Sequence, residues 1–450
     1  MSYRVCVKEI IQEDESMKTK IIYREPLGNP ERQYRQDRFV ISSCMSLATD
    51  FEEDKSDIRE CIRNIKEVGC NLTEYIWANP EMTEKCVLAC EEFGIDGVFQ
   101  NWNAFGGFQA KAGEMKINHE ELAKFMEFNK QYKHFYGYYV WDEPLSEAAV
   151  DAAAEQLNII EELDPERLPF TVAIPSYNAT DTWENGLFEK YLRRYAKVVN
   201  PPVMSLDYYP FSALRPEPSN QMDDKNLYLD IALLRELSIK MKTPMWFYIQ
   251  TQDMPMGERY YRFTPARMTM QAYNVLLHGG KGVQYYCTVE GAIYRDGRKG
   301  PLFFQMKEMN HRIRQWGKTL MALTSEHVFH SPELHAGNEN FEQFREAVTN
   351  SQILANDELP FRCSVGEFTD SEGNLYLMIL NRDYMDKRTF SLEFKKPVRV
   401  YEVSGEDGMQ RVRNRRVKGL NLELAAGDAV FLRLQDAQEE AYLVEYALRK

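Results

Sequence analysis

Residues 134–144 read HFYGYYVWDEP, and their reading decides the fold. The aromatic and β-branched run from Phe135 to Trp141 predicts a strand, which passes directly into Asp142-Glu143 and is stopped by Pro144. A helical pattern opens near Ser146, a residue suited to cap it. The same unit recurs in both directions. Upstream lie RFVISSCMS from Arg38, GCNLTEYIW from Gly69 and GIDGVFQNW from Gly94. Downstream lie PFTVAIP from Pro169, PVMSLDYYP from Pro202, TPMWFYIQTQ from Thr243 and KGVQYYCTVE from Lys281. The helical stretches IRECIRNIKEVG and VLACEEFG each end on a Gly, the residue that terminates a helix in the left-handed conformation. Eight strand-helix units over about 260 residues match a closed α/β barrel, the (β/α)8 or TIM barrel. No GxGxxG or GxxxxGK[ST] follows any strand, which removes the main support for a doubly wound open sheet.

Beyond the eighth strand, PLFFQMKEMNHRIRQWGKTLMAL has helical spacing and closes the barrel. From about Ser325 the period changes to two. FRCSVGEFTD, NLYLMILNRD, RTFSLEF, VRVYEV and DAVFLRL, with turn residues DSEGN, SGEDG and AAGD among them, predict a small antiparallel β-sandwich. The expected organisation is an N-terminal extension over 1–37, the barrel over 38–324, the β-sandwich over 325–437 and a tail over 438–450.

The 450 residues carry 55 Lys+Arg against 69 Asp+Glu, a formal charge of -14, so no overall electrostatic footprint for nucleic acid exists. Apolar residues at 44% and charged residues at 28% exclude a disordered chain. The eight cysteines include no CxxC pair and no zinc-like cluster with histidine, so reduced buried thiols are expected, with no metal and no cofactor. The N-terminus lacks the apolar core of a signal peptide and no run is long enough for a membrane helix, which predicts a cytoplasmic protein without a membrane partner. The oligomeric state is not legible.

In a barrel of this kind chemistry sits where the strands end. Those ends carry Glu74 and Trp77; Asn101 and Trp102; Asp142 and Glu143; Tyr177; Asp207, Tyr208 and Tyr209; Gln250 and Gln252; and Tyr286 and Glu290. Carboxylates, amides and aromatic faces together suit a saccharide, whose hydroxyls need paired polar partners and whose C–H faces stack on rings. Glu143, flanked by aromatics and by Asp142, is the candidate general acid. The structural alternative is that the acidic pair only starts a solvated loop or caps the next helix. Trp246 lies mid-strand and reads as core, and His278 reads as a helix-end residue.

WDEP, SLDYYP, WFYIQTQ and RFTPARMTMQAYNVLLHGGKGVQYYC, in that order, resemble segments of the barrel glycoside hydrolases of the large clan that includes the beta-galactosidases. The closing NLELAAGDAVFLRL is similar to the last strands of the β domain that often follows such barrels. The resemblance implies that Glu143 holds the acid/base position, with Asp142 standing where the clan usually has Asn. Where the clan has a nucleophilic Glu at the end of strand seven, this chain has Gln250 and Gln252, and a neutral amide forms no glycosyl ester.

Three chemistries follow. Asp142-Glu143 works as a consecutive pair, similar to the substrate-assisted hexosaminidases, with Asp142 orienting a 2-acetamido group. In an inverting route Glu143 is the acid and Asp207, Glu74 or Glu290 the base, about 6.5 to 9.5 Å away. In a retaining route Glu290 is a displaced nucleophile about 5 to 5.5 Å from Glu143. The expected activity is hydrolysis of short saccharides or glycosides. Its alternative is a carbohydrate-binding or sensing protein on the same fold that has lost catalysis, motivated by the missing strand-seven glutamate. A barrel lyase or isomerase would want a metal or a Lys/His base at the mouth, and no such set is legible.

Overall fold

The structure, a computed structural model, describes residues 31–46, 57–76, 80–105, 117–176, 187–211, 226–251, 263–288, 291–334 and 346–437. Trp77, Tyr177, Gln252 and Glu290 lie outside these residues, as does the 438–450 tail. The first eight strands are β1 (Val40–Ser46), β2 (Leu72–Ile76), β3 (Asp96–Phe99), β4 (Phe135–Asp142), β5 (Leu168–Val172), β6 (Met204–Asp207), β7 (Met245–Gln250) and β8 (Gly282–Tyr286). They form one parallel sheet in the order β5-β4-β3-β2-β1-β8-β7-β6. The ends meet at a parallel bridge between Ala173 and Leu206, where the Ala173 N–H donates to the Ser205 carbonyl at 2.9 Å, so the sheet closes into the expected barrel. Nine α-helices lie between or after these strands among the described residues: α1 (Ile58–Glu67), α2 (Pro80–Phe93), α3 (Trp102–Phe105), α4 (His119–Asn129), α5 (Glu147–Leu163), α6 (Leu187–Val198), α7 (Leu227–Met241), α8 (Pro265–Leu277) and α9 (Phe303–Leu320). The Ser146 hydroxyl accepts from the Ala149 N–H at 3.1 Å, the cap read from the sequence. No helix among the described residues is long and apolar enough to cross a membrane.

Strand periodicity divides the core in two. Residues of one parity, such as Ile41, Tyr138, Val140 and Phe247, pack between strands and helices. The other parity fills the barrel with Val40, Leu72, Val98, Tyr139, Leu168, Phe170, Trp246 and Tyr248. Residues 31–37, read from the sequence only as an extension, close the N-terminal end. Tyr34 joins the interior cluster, its hydroxyl lies 2.9 Å from that of Tyr136, and Gln36 Oε1 accepts from Trp246 Nε1 at 2.8 Å. Trp246 crosses the interior because Gly282 beside it has no side chain: a Cβ there would lie 2.5 Å from Trp246 Cδ1. Gly282→Ala is therefore expected to cost about 1–3 kcal/mol, read as a lowered urea midpoint at unchanged slope.

The remaining strands, β9 (Thr324–His330), β10 (Cys363–Thr369), β11 (Leu375–Asn381), β12 (Arg388–Val403), β13 (Gln410–Leu424) and β14 (Ala429–Asp436), form an antiparallel sheet in the order β13-β12-β14-β11-β10-β9. RTFSLEF and VRVYEV are one strand, whose register against β13 breaks between Glu393 and Val398, around Pro397. The far half of the β12–β13 ribbon thereby folds over the sheet. Phe390, Leu392, Leu420 and Leu422 share one core with Leu377, Ile379, Leu432 and Leu434, which gives the two-layered sandwich. The opposite face, with Met378, Leu380 and Phe431, joins the barrel's outer core. Trp316 Nε1 donates to the Val403 carbonyl at 2.8 Å, and Arg312 pairs with Asp428 at 2.6 Å across the same seam.

Candidate active site at the barrel mouth

Strand β4 delivers the central acids through an irregularity. In an even strand, residues three apart point to opposite faces. Here the register against β5 shifts between Tyr139 and Trp141, so Val140 is an extra residue and Tyr139 and Asp142 share the interior face. The Tyr139 hydroxyl donates to Asp142 Oδ1 at 2.9 Å. Glu143 follows with φ of 48°, a left-handed backbone that a side chain with a Cβ adopts at a cost of about 1–2 kcal/mol. Such strain is characteristic of functional positions.

From β6, Asp207 comes within hydrogen-bonding contact of Glu143. Burial, then the Asp207 and Asp142 carboxylates, push the Glu143 carboxyl up to about 10, so it holds its proton at neutral pH. Asp207 is also raised, to about 7, by burial first and Asp142 second, but donors including the Tyr209 hydroxyl and Glu143 oppose the rise. Glu143 is thus the proton carrier and Asp207 the group that ionises first. Asp207 is 6% exposed, and among the described residues its Oδ1 has no hydrogen-bond partner. Tyr209 also stacks on Tyr286 at the end of β8, with ring centroids 4.9 Å apart and planes inclined by 26°.

Beneath this pair the barrel is polar. Glu74 is wholly buried and accepts from the Tyr248 hydroxyl and, at 2.8 Å, from Gln284 Nε2, whose Oε1 accepts from Ser205 at 2.7 Å. Burial raises its carboxyl. Glu74 therefore underlies the mouth as part of a closed network and does not line its rim. Cys44 and Cys287 are buried beside the same acids, with Cys287 Sγ donating to the Cys44 carbonyl at 3.0 Å, and burial pushes the Cys44 thiol upward.

The other sequence candidates separate. Tyr208 takes the opposite parity to Asp207 and is buried in the strand-helix core. Gln250 is completely buried at the end of β7, where its Oε1 accepts from the Phe211 N–H at 3.0 Å, and it thereby fixes the turn after Asp207. Asn101 caps α3, its Oδ1 accepting from the Asn103 and Ala104 amides at 3.0 and 3.3 Å, while Trp102 is half-buried with Nε1 on Gln100 at 3.3 Å. His278 is buried on the Asn274 carbonyl at 2.8 Å, a helix-end role as read. Tyr139 and the Cys44–Cys287 pair were not read as part of the site. Counting by twos from Cys44 toward Ser42 reveals the interior parity of β1, but nothing in GYYVWDE announces the extra residue that turns Tyr139 toward Asp142.

No family model matches the chain, and a search of curated proteins finds no match. Among solved structures, a catalytic mutant of a GH42 beta-galactosidase from G. stearothermophilus superposes with a TM-score of 0.58 at 8% identity, covering 90% of this chain and 99% of that one. A GH27 β-L-arabinopyranosidase from Geobacillus stearothermophilus gives a TM-score of 0.49 at 9% identity over 89% and 97% of the two chains. A GH51 arabinofuranosidase from Xanthomonas axonopodis pv. citri gives 0.43 at 12% identity over 83% and 89%. The first of these likenesses bears out at the level of fold the resemblance read from the motifs: a (β/α)8 barrel followed by a β domain, as in a GH42 glycoside hydrolase.

Proposed function

We propose that the protein is a glycosidase acting on short saccharides or glycosides, with Glu143 as general acid and Asp207 as the ionised carboxylate that works opposite it. The observation that carries this reading is the buried Glu143–Asp207 pair, one member protonated and the other ready to ionise, beside the Tyr209–Tyr286 stack. Two carboxyl groups with affinities pushed apart are what acid-assisted cleavage of a glycosidic bond requires. Asp207 Oδ1, buried and without a donor among the described residues, leaves an acceptor for a sugar hydroxyl or a water. On binding, the glycosidic oxygen replaces Asp207 as the partner of Glu143 and takes its proton as the C–O bond breaks. Water then adds to the anomeric carbon and passes a proton to Asp207. The direct contact of the two carboxyls is shorter than the spacing of either double-carboxylate mechanism, so the pair opens to admit substrate. A fold neighbour named as a beta-galactosidase supports a glycoside as substrate class.

A second reading, saccharide binding without turnover, is favoured by Gln250: strand seven ends in an amide already bonded to Phe211. A panel of aryl α- and β-glycosides, including N-acetylhexosaminides, separates the two. Turnover lost in Glu143→Gln supports the glycosidase. Activity confined to N-acetyl sugars assigns Asp142 the orienting role beside Glu143. Saccharide binding without any turnover moves the assignment to the second reading.

Glu74 gives a further expectation. Replacing it by Gln keeps the shape of the network below Asp142 while removing a buried acid. The charges that hold the Glu143 affinity up are those of Asp207 and Asp142, so the alkaline limb of the kcat/KM profile is expected to stay in place with kcat at the optimum changed less than about tenfold. A limb displaced to lower pH would instead assign Glu74 a part in the dyad's proton affinity.

A further inference from the structure

The net charge of -14 conceals one stretch of opposite sign: between Gln410 and Lys418 the chain carries Arg411, Arg413, Arg415, Arg416 and Lys418 and no acid. This stretch is half of β13, the edge of the β-domain sheet, and all five cations are exposed. Arg411 pairs with Asp407 and Arg413 with Glu402. Among the described residues no carboxylate pairs with Arg415, Arg416 or Lys418. The register sharpens the concentration. Val398 stands opposite Val417 and Val400 opposite Asn414, so the single residue Arg399 faces the two residues Arg415 and Arg416 across a bulge. Like charges placed opposite one another destabilise a ladder. Beside the bulge, where the ladder opens at Glu393, a cleft of about 410 Å³ is lined by Ser391, Glu393, Lys395, Lys418 and Asn421.

Protection of an exposed edge needs charge of either sign. It does not account for five cations in nine residues of an acidic protein, three of them without a counter-charge among the described residues. We propose that this edge and its cleft bind an acidic polysaccharide. Ring carboxylates pair with the planar guanidinium groups of Arg415 and Arg416, and neighbouring hydroxyls reach Ser391, Lys418 and Asn421. The choice of polymer rests on the saccharide reading of the barrel. A single-stranded nucleic acid is the poorer partner, because between Gln410 and Lys418 the edge carries no aromatic ring on which a base would stack.

The test is affinity electrophoresis of the full chain through gels containing alginate, neutral dextran or single-stranded DNA, at two salt concentrations. Alginate is expected to retard the wild type in a salt-dependent manner, and R415E/R416E/K418E to lower the affinity at least tenfold. Charge reversal keeps the edge protected, so the variant stays monodisperse on size exclusion, and R415Q/R416Q/K418Q serves if it does not. Glu143→Gln is expected to bind alginate as the wild type does, so failure of the glycosidase reading and failure of this one are separate results. No retardation by alginate, retardation unchanged in the triple variants, or equal retardation by DNA overturns the proposal.

Discussion

Replacing Glu143 by Gln is expected to lower kcat for glycosides with poor leaving groups by about a thousandfold, within the range that general acid catalysis supplies. The loss grows with the basicity of the leaving group. An unactivated alkyl glycoside needs its oxygen protonated as the bond breaks, whereas a dinitrophenolate leaves without help, so the variant's deficit on the activated substrate is much smaller. The pH profile carries the same information. Hydrolysis needs Glu143 protonated, so the wild-type alkaline limb follows its raised affinity toward pH 10, and Glu143→Gln removes that limb. Stability moves the other way. An acid whose folded affinity is raised binds more protons in the native than in the unfolded chain. Stability therefore falls as pH rises above the ordinary carboxylate value of about 4.3 and goes on falling until the folded group has titrated. Glu143→Gln flattens that decline and raises the thermal midpoint at pH 8, by about 1–2 °C for each kcal/mol recovered in a chain of this length. Equal losses on good and poor leaving groups, or a lower midpoint, would count against the assignment.

Coupling of higher stability to lost activity follows from how the site is made. Period-two alternation fills the barrel with Val40, Leu72, Val98, Phe170 and Trp246 low down and with Glu74, Tyr248 and Gln284 at mid-height, so that acids at the mouth rest on a hydrogen-bonded polar floor. That framework was legible. The eight strand runs were visible as aromatic and β-branched segments between helical patterns, and the strand-end rule picked out Asp142, Glu143, Asp207 and Tyr209. Register was not legible. The same rule included Tyr208, whose neighbour Asp207 already occupies the inward direction, and placed Glu74 at the rim although it lies inside the barrel. It could not foresee the Val140 bulge, because a bulge depends on the pairing of two strands and leaves no mark in either one. The first half of β13 went unread for a different reason: between Gln410 and Lys418 its only apolar residues are Val412 and Val417, so the alternation that identifies a half-buried strand is absent where both faces meet solvent, whereas its end, NLEL, was read with the last strands.

The second large effect is expected at Asp207, where replacement by Asn tests whether the dyad is a functional unit. As the ionised partner in hydrolysis, Asp207 sets the acid limb of the profile, and activity rises with pH as the dyad loses its first proton near 7. In Asp207→Asn that limb disappears and kcat falls by about a hundredfold or more at the optimum. The alkaline limb is the more discriminating readout. The Asp207 carboxylate is the first charge, after burial itself, that holds the Glu143 affinity up. Its removal lets Glu143 release its proton at lower pH, so the surviving activity falls away earlier on the alkaline side than in the wild type. Asp142 still faces Glu143, pinned by the Tyr139 hydroxyl, so the affinity stays above the ordinary carboxylate range. A residue that merely packed beneath the mouth would lower the rate without displacing either limb. If Asp207→Asn leaves the alkaline limb in place, Asp142 alone sets the acidity of Glu143, and the ionised partner in the reaction has to be sought on β4 instead of β6.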